Sequence, residues 1–210
     1  MLDFTDYTKI FISLFAILNP IGIIPIIILF TADMTSPRRA QVGRFASLTV
    51  CVVLLIALLI GQPLLTFFGI SINSFRIAGG ILLMLMALKM LNGNLYTSIV
   101  DEGDSVEGER SSIQAAVPLS TPLLAGPGSI SAVILEAHKA RGIEHYLIMS
   151  MEIVLLSVTV WLTFLIAPWI AKHIGRIGIN IFIRLMGLIL AAIAVEFIVG
   201  GMRSMFPVLG

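Results

Sequence analysis

The sequence predicts an all-α membrane protein of six transmembrane helices, built as two inverted three-helix repeats, with the first and fourth helices broken or kinked. Three observations carry this prediction. Of the 210 residues, 58% are hydrophobic and 12% charged, whereas soluble domains hold about 45–50% apolar and about 25% charged residues. Six apolar stretches, near residues 8–30, 46–68, 74–92, 113–136, 146–169 and 180–202, reach the length of about 20 residues that a spanning helix needs. The chain also repeats itself: Pro20 matches Pro127, Asn73 matches Asn180, Phe75 matches Phe182, Gly80 matches Gly187 and Gly93 matches Gly200, each pair separated by the 107 residues between positions 20 and 127.

A soluble helical bundle is excluded because Val50 to Ile60 and Ile81 to Ala87 offer no polar face at helical period. An odd number of spans per half places the second half upside down relative to the first, the inverted repeat of many secondary transporters. The predicted organisation is residues 1–93 as the first repeat, 94–112 as a hydrophilic linker and 113–210 as the second repeat, all in one membrane domain.

The chain opens with "MLDFTDYTKIF", two acids and one lysine ahead of the first apolar run, and no small-residue cleavage site follows, so it does not read as a signal peptide. The first span contains "LNPIGIIP", Leu18 to Pro25. A proline removes a helical hydrogen bond and strikes the carbonyl four residues earlier, and an adjacent glycine lets the backbone unwind. The second span holds Cys51, the single cysteine, which rules out an internal disulfide and a cysteine metal site and reads as a small core residue. The third span follows Asn73, read as a helix N-cap together with its repeat partner Asn180, and ends near Lys89, which reaches toward the headgroups. Arg76 and Arg184 stand at the starts of matching spans, as interface anchors or as partners for Glu152.

The linker "GNLYTSIVDEGDSVEGERSS" holds five acids with Gly and Ser, a solvated loop without the Asp/Asn alternation of a calcium loop. The fourth span contains "AGPGSISA" at the depth of the first break. The loops at 31–45, 93–112 and 170–179 hold Arg38, Arg39, Arg44, Arg110, Lys172 and Arg176, against Lys9, Lys139, Arg141 and Arg203 on the opposite side; Lys and Arg favour the cytoplasm, so both termini are expected outside. His138, His145 and His173 are expected in loops, with no metal-ligand spacing.

Two breaks at one depth suggest a site. Irregular backbone in lipid is tolerated only where protein or a water-filled cavity surrounds it. A broken helix offers N–H groups and the positive dipole end on one side, carbonyls on the other. A zwitterion with one carboxylate and one ammonium suits the pair, with Asn19, Ser129 and Ser131 beside it. The alternative is that Pro20 and Pro127 only kink their helices for packing, with Gly22, Gly126 and Gly128 allowing close contact. Glu196, inside the sixth span, is the candidate for carrying a coupling ion; it also lies about five residues, roughly 8 Å, from the span end and within reach of the interface.

At "LNPIGIIP", "FGISINSFRIAGGILLMLMALKML" and "PLLAGPGSIS" the sequence resembles the MarC family of six-span bacterial inner-membrane proteins, from about Tyr7 to Pro207. The resemblance places the family motifs on Asn19, Pro20 and Gly22, and on Ala125, Gly126, Pro127, Gly128 and Ser129. It implies a place among the amino-acid exporters of the lysine-exporter superfamily, an inner-membrane location, and as the nearest defined activity the transport of a small neutral amino acid such as glycine or alanine. The function expected is therefore a secondary transporter coupled to a proton or sodium gradient, with no cofactor or metal, and with a homo-oligomer among the assemblies open to it. A channel or a non-transporting structural partner in the membrane is the alternative. Neither a Walker A sequence nor His-Glu-x-x-His or Gly-x-Ser-x-Gly is present, which argues against ATP hydrolysis and enzymatic chemistry. The net charge of +1 gives no case for nucleic acid.

Overall fold

The computed structural model describes residues 3–31, 34–92, 125–139 and 142–206. Among these residues the regular structure is all helical, in six elements: α1 (Phe4–Leu18), α2 (Ile24–Thr31), α3 (Ser36–Phe67), α4 (Ile72–Leu91), α5 (Pro127–His138) and α6 (Ile143–Met205). The acidic linker and residues 113–124, the start of the predicted fourth span, lie outside the described residues. Among the described residues four stretches are long and apolar enough to cross a membrane: Ser36–Phe67, Ile72–Leu91, Ile143–Ile170 and Asn180–Met205. Leu48, Ile56 and Leu59 on α3 and Leu185, Leu188 and Val195 on α6 stand exposed along them, an outer surface suited to lipid rather than water.

Local chemistry sets the helix ends. Asp3 and Asp6 form a reciprocal capping box at the start of α1, and Tyr7, Ile10, Leu14, Ile17 and Leu18 make its buried stripe. The predicted second span begins ten residues too late, because α3 starts at Ser36 with Pro37 in its first turn, where proline is preorganised for a helix. Arg39 therefore lies in a helix and not a loop. Its Nη2 donates to the Thr31 carbonyl at 2.9 Å and its Nε to Thr31 Oγ1 at 3.0 Å, satisfying the end of α2. Between α3 and α4, Gly69 at φ +66° lets the Ile70 N–H return to the Leu65 carbonyl at 2.9 Å, a Schellman closure that needs a left-handed residue. The N-cap of α4 is Ser71, whose Oγ accepts from the Ser74 N–H at 3.0 Å. Asn73 is not the cap, since the serine already occupies the extended position two residues earlier. Cys51 is half-buried against the core.

The largest departure from expectation is α6. A loop was expected at 170–179, yet helical backbone runs through it, carrying Asn180 and His173, and α5 and α6 likewise carry His138 and His145. The stretch "IAKHIGRIGI" contains no proline, so no backbone donor is missing, and its two glycines cost only about 1 kcal/mol each against alanine. A straight helix would separate His145 from Ala194 by about 74 Å. Both instead reach the same part of the bundle: His145 bonds the Glu136 carbonyl on α5, Ser131 of α5 packs on Gly79 of α4, and the adjacent Gly80 packs on Ala194. The axis of α6 therefore turns back within the element.

The returning arm packs antiparallel on α4 through glycine. A Cβ at Gly80 would stand 2.7 Å from Ile198 Cγ1, 2.9 Å from the Ala194 carbonyl oxygen and 3.0 Å from Phe197 Cβ. A Cβ at Gly187 would stand 3.0 Å from Met90 Cβ, 3.3 Å from the Ala87 carbonyl oxygen and 3.3 Å from Leu91 Cγ. The two sets of neighbours correspond residue for residue under the sequence offset of the repeat: Ala194 to Ala87, Phe197 to Met90, Ile198 to Leu91. The contact is reciprocal, as in an interface built on a twofold axis.

Gly80→Ala is expected to destabilise the fold by about 1–3 kcal/mol, because the methyl meets a backbone oxygen that no rotamer change can move. Gly187→Ala is expected to cost less, its nearest backbone atom being 3.3 Å away. Alanine is the better helix former by about 1 kcal/mol, so a net loss at position 80 can come only from the interface. Unfolding in mixed detergent micelles measures both, and equal or absent losses would show that these glycines do not set the α4–α6 distance.

Candidate functional site

The first break is a closed turn with its own hydrogen bonds. α1 ends at Leu18 and α2 begins at Ile24. Asn19 takes the left-handed conformation at φ +48°, which asparagine tolerates better than most residues. Its N–H donates to the Phe15 carbonyl at 2.8 Å. The Gly22 N–H is shared between the Asn19 carbonyl and Asn19 Oδ1, each at 3.1 Å, and Asn19 Nδ2 points at Met90 Sδ at 3.6 Å. Pro20 has no N–H, so the Ala16 carbonyl loses the donor a continuous helix would supply. Asn19, Pro20 and Gly22 are all buried, and a side chain on Gly22 would collide with the Asn19 amide.

The second break is described from Ala125 onward. Gly126 is the N-cap of α5 in extended conformation and Pro127 the first helical residue, where its missing N–H is no loss. The first bond of the helix runs from the Ile130 N–H to the Gly126 carbonyl at 3.1 Å. The Gly128 N–H is thus outside the helix's own ladder. Ala125, Gly126, Ser129 and Ser131 are buried, Gly128 is half-buried and Pro127 faces outward.

The structure brings part of the predicted set together. Ile17, at the end of α1, lies 3.9 Å from where a Gly128 Cβ would stand, and Leu83 of α4 closes on the same point. The carbonyl end of α1 and the amide end of α5 therefore adjoin inside the bundle. Ser131 is turned to α4, its Oγ 2.7 Å from where a Gly79 Cβ would stand. Glu196 is not brought in: it is exposed on α6, between residues that face α4, with Val195 and Val199 exposed beside it. Arg76 does not pair with Glu152; its guanidinium lies against Gly200 and 5.9 Å from the Phe197 ring centre. Arg184 and Lys89 are exposed.

Sequence reasoning passed over Tyr7 and Glu136 and assigned His145 to a loop, whereas Tyr7, His145 and the Glu136 carbonyl meet at the far end of α5. A signal was present: Glu136 is the last residue of the predicted fourth span, and an ionisable residue in a span merits the suspicion given to Glu196.

Comparison with known proteins agrees with this architecture. The model of the MarC family integral membrane proteins matches residues 4–206. The UPF0056 membrane protein YhcE of Escherichia coli K12 is 40% identical over 205 residues, 98% of this chain and 95% of its own. A UPF0056 membrane protein of Methanocaldococcus jannaschii is 40% identical over 203 residues, covering 97% and 98% of the two chains, and YvbG of Bacillus subtilis is 34% identical over 207 residues, 98% of each. No solved structure matches the chain. A match across nearly all of the chain, joined to an all-helical bundle with an apolar exterior, places this protein in the MarC family of integral membrane proteins.

Proposed function

We propose that the chain is a secondary transporter of a small zwitterionic solute, a neutral amino acid such as glycine or alanine, driven by a proton or sodium gradient across the inner membrane, with both termini outside. The observation that carries this reading is the meeting of the α1 carbonyl end with the α5 amide end inside an apolar bundle. An amino acid presents the complementary ammonium and carboxylate, and neither helix end needs a charged side chain to receive it. The reciprocal Gly80 and Gly187 contacts support two inverted three-helix halves, which would bring the breaks to one depth near the membrane midplane, where transporters bind substrate. One observation favours the structural alternative, a non-transporting membrane partner: Leu83 and Ile17 close tightly on Gly128, as in a helix end shaped only for packing.

Uptake by proteoliposomes screened across the small neutral amino acids, with and without a pH or sodium gradient, tests the reading. Saturable uptake of one of them, raised by a gradient, is expected. Flux that does not saturate would indicate a channel, and no flux of any solute would leave the structural role.

Within the site, Pro127→Ala with Gly128→Leu is expected to abolish uptake by restoring helix across the break. Ser129→Ala removes at most one side-chain hydrogen bond, about 0.5–1.5 kcal/mol, so about a tenfold loss of affinity or less is expected. Leucine at position 128 meets Leu83, so Leu83→Ala is added to restore room. Recovery of thermal stability without recovery of uptake is expected, and recovery of both would show that the first loss was a packing defect. Asn19→Gly keeps the left-handed turn and the backbone acceptor but loses the side-chain bond to the Gly22 N–H, whereas Asn19→Ala loses that bond and also strains the turn. Asn19→Ala is therefore expected to be the less stable, by about 1 kcal/mol, in the same micelle unfolding assay.

A further inference from the structure

The far end of α5 carries a polar group that the helix breaks do not use. Glu136 lies seven residues, about 10 Å, beyond Ser129 on the same helix and is 6% exposed. Lys139 Nζ donates to its Oε1 at 2.7 Å, while its Oε2 is buried with no hydrogen-bond partner among the described residues. Glu152 lies on α6, nine residues and about 14 Å inside the start of that helix. It is 8% exposed, and its Oε2 is also buried without a partner among the described residues. Glu152 stands seven residues, about 10 Å, along the helix from His145, whose ring meets the Glu136 carbonyl, so both carboxylates belong to the same end of the bundle.

His145, seven residues before Glu152, joins this group to the end of the bundle. Its Nε2 lies 3.1 Å from the Glu136 carbonyl and its Nδ1 3.1 Å from Tyr7 Oη. A carbonyl only accepts, so Nε2 holds a proton, and in the neutral ring Nδ1 accepts from the tyrosine hydroxyl. Three helices, α1, α5 and α6, are thus linked by one buried chain of polar contacts. The other charged groups facing it are Lys139 on α5 and Glu144 in the first turn of α6. Arg76 on α4 is turned to Phe197 and Gly200, and α3 contains no Asp, Glu, His, Lys, Arg or Tyr between Arg44 and Phe67. The ion pairs among the described residues are Lys9–Asp6 and Lys139–Glu136, so Glu136 has a cation and Glu152 has none. No three of His, Cys, Asp and Glu among the described residues converge as metal ligands would.

We propose that Glu152 is a proton-binding site, with the Glu136–Lys139 ion pair as its electrostatic neighbour and the Tyr7–His145 contact as the link to the end of the bundle. A proton taken up on Glu152 Oε2 removes the repulsion from Glu136 and turns an orphaned acceptor into an O–H donor. Its use in coupling rests on the transporter reading above, with Glu152 in place of the exposed Glu196 as the residue that carries the ion. The short helix α5 joins the two functions, since it bears the Gly128 amide at one end and Glu136 at the other.

Infrared difference spectroscopy of the purified protein in lipid nanodiscs, taken over a range of pH, reads the site directly. The wild type is expected to show a protonated-carboxyl C=O band that grows as pH falls, Glu152→Gln to lose it and Glu196→Gln to keep it. Lys139→Ala removes the cation that shields Glu152 from Glu136, so the midpoint of the band is expected to move to higher pH; should Glu152→Gln fail to fold, this shift decides the matter. Absence of the band in the wild type, its persistence in Glu152→Gln, or an unmoved midpoint in Lys139→Ala would overturn the proposal. Proteoliposome uptake that needs a pH gradient in the wild type and loses that dependence in Glu152→Gln would support the coupling role. Should no solute move while the band behaves as expected, the proton site stands and the transporter reading falls; should solute move with no band, the reverse holds.

Discussion

The constraint on which the structure depends is that backbone N–H and C=O groups in hydrocarbon have no water to turn to. A helix meets it automatically, and a broken helix meets it only with a specific device. At the first break the device is Asn19, the one residue other than glycine with positive φ among the described residues. Its N–H closes α1 onto Phe15, and its carbonyl and side chain together hold the Gly22 N–H. Gly22 follows from this arrangement, because the Asn19 amide occupies the space a side chain would need. Thr31 and Arg39 meet the same constraint where α2 ends, a buried threonine whose carbonyl accepts from a guanidinium on the next helix.

Once each helix satisfies its own backbone, little remains to draw helices together in lipid except close contact, and here glycine supplies it. α4 is shared between two neighbours through adjacent residues: Gly79 admits Ser131 of α5, and Gly80 admits the α6 backbone at Ala194. Further along, Gly200 and Gly201 on α6 admit Arg76 and Ile77. The arginine thereby lies over Phe197 and does not reach for a carboxylate. Among the described residues Arg76 pairs with no carboxylate and Glu152 with no cation.

Membrane character, the family and the positions of most apolar helices were legible because they rest on composition, length and motif, which need no partner. The Pro20 and Pro127 positions were legible for a related reason: proline alters the backbone wherever it stands. What the sequence concealed depends on neighbours. The loop expected at 170–179 is helical because charge and two glycines discourage a helix without forbidding it. Asn73 suggested a cap through its match with Asn180, but Ser71 lies two residues earlier and does the work. Glu196 drew attention through its depth along the chain, yet depth does not say which face a residue occupies, and this one faces outward. Glu136, Tyr7 and His145 come from three separate stretches, and only the antiparallel packing of α1 on α5 and the return to α6 gathers them.

That gathering gives α5 its importance. A helix of 12 residues is about 18 Å long and is too short to bend appreciably, so a displacement at one end is transmitted to the other. Its N-terminal end is pinned between Ile17 and Leu83 at Gly128, and its C-terminal end is tied to α1 and α6 by the Glu136 carbonyl, His145 and Tyr7. On the proposal above, charge on Glu152 acts on the second end through Glu136, whose cation among the described residues is the half-exposed Lys139. A change of protonation there would alter the force on α5 without breaking any backbone hydrogen bond, and α5 is the element that presents its amide end to the α1 break. Coupling of this kind needs no residue to travel between the sites; it needs only a rigid helix short enough to carry both.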